Sequence, residues 1–452
     1  MPEILALLQA IAPLLSKTTF RQMSRVILGM LAASGRITML GISRWTEQGG
    51  SYRTIQRFYH SELPWKAIHW LLFRLKLLKL EDEHILAGDE VVASKAGTET
   101  HGLDRFFSSI QQRVISGLSF FTFSLVNVCE GHSYPLQITQ VVKSAEEKAV
   151  SKAKAEAKKA AKKTTEKRKP GRPKGSKNKV KQAVGLNPEL LRIQTALKNL
   201  LETIGTILSL QYVVLDGHFG NYPSAFMVRE IGLHLISKLR SDAALYPAFE
   251  GQYSGKGRPA KYGKKLDVRN LEDAKYLKAT STEKNVRTRV YQGEFYNTEF
   301  AFALNVVIIL KTNLLTQAQA HVILFSTDLA QDYHKIIKFY SLRFQIEFNF
   351  RDAKQYWGLE DFMNIKENAV TNAANLSLFM VNFSYALLQP FREHNPEYSV
   401  LDLKSHYRGW RYASQTIKLL PQKPDAVLLA DIFQQIARLD AIHPAFQPAT
   451  RQ

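Results

Sequence analysis

A mixed α/β fold is what this sequence predicts, and three observations predict it. Apolar residues recur at helical spacing up to about residue 80, and the period then changes near residue 85 to short runs rich in Ile, Leu and Val. Three of these runs follow one another at hairpin spacing. Beyond them, helical and strand-like segments alternate, the pattern of an α/β sheet protein.

Residues 1–80 read as a helical N-terminal domain, with helical spacing in FRQMSRVILGMLAAS and WKAIHWLLFRLKLLKL. Between them SYRTIQRFYH is basic and aromatic, preceded by the turn signal Gly49-Gly50. DNA binding and a plain helical bundle are both open readings of this domain. The strands begin with HILAGDEVV, followed by FFTFSLVNVC and SYPLQITQVV around a turn at Gly131-His132. A helix from about Pro188 to Gly205, the strand QYVVLDGHFG stopped at Asp216-Gly217, a helix over SAFMVREIG and the strand HLISKL come next. This is the order of a ribonuclease-H-like core, in which the first and fourth strands lie side by side. Asp89 and Asp216 would then point into one cleft. The core spans residues 81–390 and is interrupted at 143–182 and at 251–305. The second interruption reads as β-rich, after which HVILFSTDL resumes the core. Residues 391–452 form a helical C-terminal region, a candidate for dimerisation.

The chain has 452 residues, 45% of them hydrophobic, enough for a sizeable core. Its formal net charge of +21 argues for a polyanionic partner, with nucleic acid ahead of an anionic membrane surface. No apolar run reaches the ~18 residues that span a bilayer. The N-terminus reads as an amphipathic helix rather than a signal peptide, because Glu3 stands where a basic region would be. The single cysteine, Cys129, excludes an intramolecular disulfide and a Cys-rich zinc site, and a cytoplasmic location fits. The histidines show no metalloprotease spacing, and no glycine-rich nucleotide loop is present.

The charge is concentrated. Residues 143–181 hold 16 Lys or Arg against 4 Glu. The segment KRKPGRPKGSKNK is broken by proline and glycine, and like charges at this density repel, so disorder without a partner is expected. KPGRPKGS has the form of an AT-hook, with Arg168, Arg172 and Lys174 reaching a narrow, electronegative minor groove. A generic phosphate-binding segment is the other reading. A weaker Gly-Arg-Pro occurs at Gly257–Pro259.

Three carboxylates carry the candidate chemistry. In YSLRFQIEFNFRDAK, Tyr340, Arg343, Glu347 and Lys354 fall at offsets 0, 3, 7 and 14, and Arg351 at 11. On a uniform helix the first four lie within roughly 60° of one another, and Arg351 joins the same stripe. A carboxylate flanked by cations suits a metal ion beside phosphates, although i,i+4 ion pairs on a solvated face explain the same stripe. Asp89 lies within the apolar strand ILAGDEVV, where an unpaired charge is costly. Asp216 ends VVLD as a strand-tip ligand would, and alternation sends Glu90 to the opposite face from Asp89. Asp89, Asp216 and Glu347 are the expected ligands of two Mg²⁺ ions, with Mn²⁺ as a substitute, for in-line displacement at phosphorus.

With these residues the chain resembles the DDE transposases of bacterial insertion sequences that carry a Tyr-Arg-Glu-Lys signature, here Tyr340, Arg343, Glu347 and Lys354. GDEVVASKAGTETHG matches around the first aspartate through Lys95, Gly97 and Gly102, and LDGHFGNY through Asp216, Gly217 and Phe219. The resemblance covers about residues 85–365. It implies that Asp89, Asp216 and Glu347 hold the metal, and that Arg343, Lys354 and Tyr340 contact backbone at the element's end. It also implies double-stranded DNA, as element ends and target, for a homodimer that cuts the ends and joins their 3′ hydroxyls to the target. Where relatives use an insertion tryptophan to hold a flipped base during hairpin formation, residues 251–305 have none. Tyr291, Phe295 and Tyr296 are the aromatic alternatives. A catalytically idle DNA-binding relative and a nuclease that cuts without joining are the alternatives to a transposase.

Overall fold

The computed structural model describes residues 2–443 apart from 47–48, 109–110, 151–152, 154–155, 158–183, 253–254, 256–259 and 272–273. The AT-hook-like segment, with Arg168, Arg172 and Lys174, and the second Gly-Arg-Pro therefore lie outside the described residues.

Five helices come first: α1 (Pro2–Gln9), α2 (Lys17–Ala32), α3 (Met39–Trp45), α4 (Tyr52–His60) and α5 (Trp65–Lys76). Ser16, Thr38 and Ser51 cap α2, α3 and α4 by accepting backbone N–H bonds, which is why these helices start where they do.

The sheet follows. Its strands are β1 (His84–Ser94), β2 (Asp104–Ser108), β3 (Arg113–Asn127), β4 (His132–Val141), β5 (Tyr212–Leu215) and β6 (His234–Leu239). They are joined by β7 (Leu245–Tyr246), β8 (Leu277–Glu283), β9 (Val286–Asn297), β10 (Leu304–Asn313) and β11 (Gln319–Ser326). The order β2-β3-β1-β5-β6-β11-β10-β9-β7 is mixed, with β4 on β3 and β8 on β9. β1 is antiparallel to β3 and parallel to β5, pairing Gly88 with Leu215, so the strand carrying Asp89 lies directly beside the strand that leads into Asp216. This is the adjacency expected of the first and fourth sequence-predicted strands. A Cβ on Gly88 would stand 2.7 Å from Leu215 Cδ2 and 3.0 Å from Phe123 Cε1, so a larger residue there would force those buried side chains to shift. The β-rich stretch between Asp216 and Glu347 adds β8, β9 and β10 to this same sheet.

One face of the sheet packs on α6 (Pro188–Ile204) and α7 (Tyr222–Arg229), bringing Phe121, Phe123, Val213 and Leu215 against Ile193, Leu197 and Ala225. Asn187 caps α6 and Pro188 starts it. The opposite face meets α8 (Tyr333–Leu342), where Ile336 and Phe339 cover Ile85, Ala87 and Val214. Beyond α8 come α9 (Gln345–Gln355), α10 (Glu367–His394), α11 (Val400–Leu419) and α12 (Ala426–Ile436). Residues of α1, α2, α4, α9, α10 and α11 share one apolar cluster with the end of β1, so the N- and C-terminal helices form a single core. The sequence boundary at residue 390 falls inside α10, which continues to His394.

The YSLRFQIEFNFRDAK segment is two helices, not one. Arg343 closes α8 and Phe344 opens α9, both in the right-handed region. Phe344 N–H bonds Ser341 O, Ile346 N–H bonds Arg343 O and Glu347 N–H bonds Phe344 O, so the chain tightens into a 3₁₀ turn at the junction. The expected single helix is therefore interrupted there, although Arg343 and Glu347 still meet across the junction.

Candidate active site

Asp89 leaves β1 on the face covered by α8 and α9. Its Oδ1 accepts the Glu90 N–H at 2.8 Å and its Oδ2 receives Arg343 Nη1 at 2.6 Å. Arg343 Nη2 reaches Glu347 Oε1 at 3.4 Å. One guanidinium, 14% exposed, thus ties the strand carboxylate to the helix carboxylate. Asp216 sits at the tip of β5 and caps the 3₁₀ turn Gly217–Phe219, accepting the His218 N–H at 3.0 Å. Its carbonyl accepts the Ser237 hydroxyl from β6 at 2.7 Å. Gly220 lets this turn press onto β6, since a Cβ would stand 2.0 Å from Lys238 O.

The electrostatics show the groups share one field. Burial pushes the Asp89 carboxyl up to about 6, the Arg343 charge pulls it down, and Asp216 and Glu347 add repulsion. Burial raises the Tyr340 phenol, against the pull of Arg343, and Asp216 and Asp89 also act on it. Asp89 and Glu347 are thus paired with one cation, Arg343, and the charge of Asp216 also acts on Asp89 and Tyr340. Among the described residues no group of three His, Cys, Asp or Glu is close enough to hold a metal ion, and the Arg343 guanidinium lies where two of the carboxylates meet. Arg343 Nε is buried with no partner.

The remaining sequence-predicted residues diverge. Arg351 is exposed, paired with Asp352 at 3.0 Å and seated over the Phe348 ring at 4.8 Å. Lys354 is turned toward β1, donating to Val92 O at 2.8 Å and pairing with Glu360 at 2.9 Å. Lys95 makes the matching contact from the strand, donating to the carbonyls of Glu360 and Phe362 at 2.8 and 2.7 Å. Burial pushes its amine down to about 8. Two lysines thus staple the end of α9 to the strand carrying Asp89. Of the aromatic alternatives, Tyr291 is 2% exposed with its hydroxyl on Leu271 O, and Phe295 is fully buried, so neither offers a face for a base. Tyr296 is half-buried, with the Lys261 ammonium 4.6 Å from its ring.

Sequence reasoning missed Phe344 and Phe348. They are 50% and 37% exposed, edge to face at 5.4 Å, and share the outer face of α9 with Glu347, Arg351 and Gln355. The signal was present as an i,i+4 aromatic pair around Glu347, but only the covered side of the helix shows that the pair is left outside. Glu90, on the opposite sheet face, accepts the Ser119 hydroxyl and lines a cavity of about 520 Å³ with Phe121, Arg192 and Ile193.

A family model described as DDE superfamily endonuclease matches residues 10–294, well over half of the chain. The span takes in Asp89 and Asp216 and ends before Glu347. No curated protein matches the chain. Among the described residues no helix is long and apolar enough to cross a membrane.

Proposed function

This chain belongs to the DDE endonuclease superfamily, and on that premise we propose that it is a DNA transposase that cleaves the ends of an insertion element and joins their 3′ hydroxyls to target DNA. What supports the reading is the pairing of Asp89 and Glu347 with one guanidinium, Arg343, and the parallel adjacency of β1 to β5, the strand that leads into Asp216. The adjacency of β1 and β5, with helices on both faces, supports a ribonuclease-H-like core.

Three carboxylates supply oxygen only, the donor chemistry of a hard divalent cation, but Arg343 stands between two of them, so an ion bound there would have to displace its guanidinium. Asp89, Asp216 and Glu347 would hold Mg²⁺, or Mn²⁺ in its place. Divalent ions there supply positive charge to the attacking and leaving oxygens of a displacement at phosphorus. Arg343 orients the Asp89 and Glu347 carboxylates. Tyr340 lines the same site, Arg351 faces solvent for backbone contact, and Phe344 and Phe348 offer aromatic faces to an unpaired base. Lys354 and Lys95 hold α9 at its distance from β1.

The test first sequences the DNA that flanks the gene and then uses duplexes carrying any inverted repeats found there. Wild-type protein with Mg²⁺ is expected to nick the end and join it to a second duplex. Asp216→Ala is expected to bind the same DNA and leave it intact; cleavage by that variant at the wild-type rate would end the assignment. The family description favours one second reading, an endonuclease without joining. Cleavage with no strand-transfer product would establish it.

A further inference from the structure

One cation beside the candidate site comes from neither α8 nor α9. Lys238 stands on β6, and strand register brings it next to Asp216. β5 and β6 are parallel and pair Val214 with Ile236. Two residues on, Asp216 keeps extended backbone, with φ −69° and ψ 177°, so it comes level with Lys238. On the other side β1 pairs Gly88 with Leu215, which brings Asp89 level with Asp216. Ile85, Ala87, Val214 and Ile236 share one apolar cluster, so alternation sends Asp89, Asp216 and Lys238 to that same face of the sheet. The three form a row across β1, β5 and β6, about 10 Å from first strand to last.

The turn after Asp216 is fitted to this lysine. Ser237, its neighbour on β6, donates its hydroxyl to Asp216 O at 2.7 Å. A Cβ on Gly217 would stand 3.1 Å from Lys238 Cε, so the end of the aliphatic stem lies against the residue that follows Asp216. The side chain is exposed, and its ammonium has no hydrogen bond or ion pair among the described residues. The other cations near the site are occupied. Arg343 is bound to Asp89 and Glu347, Lys354 to Val92 O and Glu360, and Lys95 to the carbonyls of Glu360 and Phe362. A lysine kept only to balance Asp216 would pair with it. Asp216 instead spends Oδ1 on the His218 N–H, and Lys238 stays unpaired beside it.

We infer that Lys238 is a substrate-contacting residue of this site, its ammonium binding an oxygen of the phosphate that reacts beside Asp216. The inference rests on the reading that the site acts on a DNA backbone. Three carboxylates repel such a phosphate. Lys238 meets it from the β6 end of the row without breaking any contact of its own. An ammonium engages phosphate as a point charge and needs no fixed fork geometry, which suits a flexible stem at a strand edge of the cleft. Positive charge held at the reacting group counts for most as charge builds in the transition state.

The experiment compares wild type, Lys238→Met and Lys238→Arg on a duplex carrying the sequence that adjoins the gene. Affinity is measured against salt in Ca²⁺, which also takes oxygen ligands, and single-turnover cleavage in Mg²⁺. Lys238→Met is expected to lower the slope of log affinity against log salt by about one unit. It is also expected to slow cleavage by about tenfold or more, with an unchanged thermal midpoint. Lys238→Arg keeps the charge and is expected to retain the wild-type slope and most of the rate. An unchanged slope in Lys238→Met overturns the inference, whether or not the wild type cuts. A lowered slope with wild-type cleavage overturns it too, because the contact then lies away from the reacting phosphate. Failure of the transposase reading is separate and is read in the Asp216→Ala cleavage assay.

Discussion

Arg343 carries an unequal load. Its pair with Asp89 is short and largely sheltered, whereas Glu347 at 3.4 Å is 44% exposed and screened by water. Arg343→Ala leaves Asp89 sheltered without its counter-charge. The loss of stability is expected to be about 1–3 kcal/mol by urea unfolding, and it carries a pH signature. Asp89 is held at about 6 in the folded chain, above the ~3.9 of an unfolded aspartate. The folded state therefore binds more protons between those values, and this group's contribution to stability falls as pH rises through the window. Removing Arg343 raises the folded value further, so the variant's deficit is expected to be larger at pH 8 than at pH 5. Metal binding needs the carboxylate, so wild-type cleavage with Mg²⁺ is expected to climb through about pH 6. Asp89→Asn is expected to be inactive at every pH, and a flat wild-type profile would contradict this. At this scale the settings of Asp89 and Asp216 were legible, because a charge inside an apolar strand and an aspartate at a strand tip need an explanation. Which cation answers Asp89 was not, since that partner stands on a helix far along the chain.

At the scale of elements, the helical period placed Lys354 on the Glu347 stripe, but not what lies across from it. The close approach of β1 places Val92 O within reach of its ammonium, at 2.8 Å. Lys354 then acts by holding α9 against the Asp89 strand. Lys354→Met is expected to lower the cleavage rate by about tenfold or more while DNA affinity keeps its salt dependence. A phosphate contact would instead cost about one unit of slope in log affinity against log salt. Measuring both for one variant decides between the positions. The same gap between pattern and packing explains β9. Its alternation was readable as a strand, but only the Leu271 segment lying over it shows that Tyr291 is covered.

For the whole molecule, the helical ends were legible and their union was not. α10 buries Asn372, Asn375, Ser377, Asn382 and Ser384, residues that sequence patterning assigns to solvent. Each donates to a backbone carbonyl, as with Asn382 on Pro135 O at 2.8 Å, although Asn382 Oδ1 has no partner. A helix wet in pattern and dry in place hides a core that runs from α1 to α11. The far end of that core is locked by Asp402, fully buried at the start of α11. It accepts from Ser399 N and Oγ, and from Ile442 N at 2.6 Å and His443 N at 2.9 Å. Burial works to raise this carboxyl, but the bonds from Ser399 and His443 outweigh it and hold it well below the usual carboxylate range. The stability it contributes is present above the unfolded value of ~3.9 and is lost as pH falls toward the folded one. Asp402→Asn is expected to cost about 2–3 kcal/mol at pH 7 and progressively less as pH drops below 4, because the wild type surrenders the same term there. Urea midpoints across that range test it. A variant whose deficit stays constant into acid would show that Asp402 is held for its shape rather than its charge.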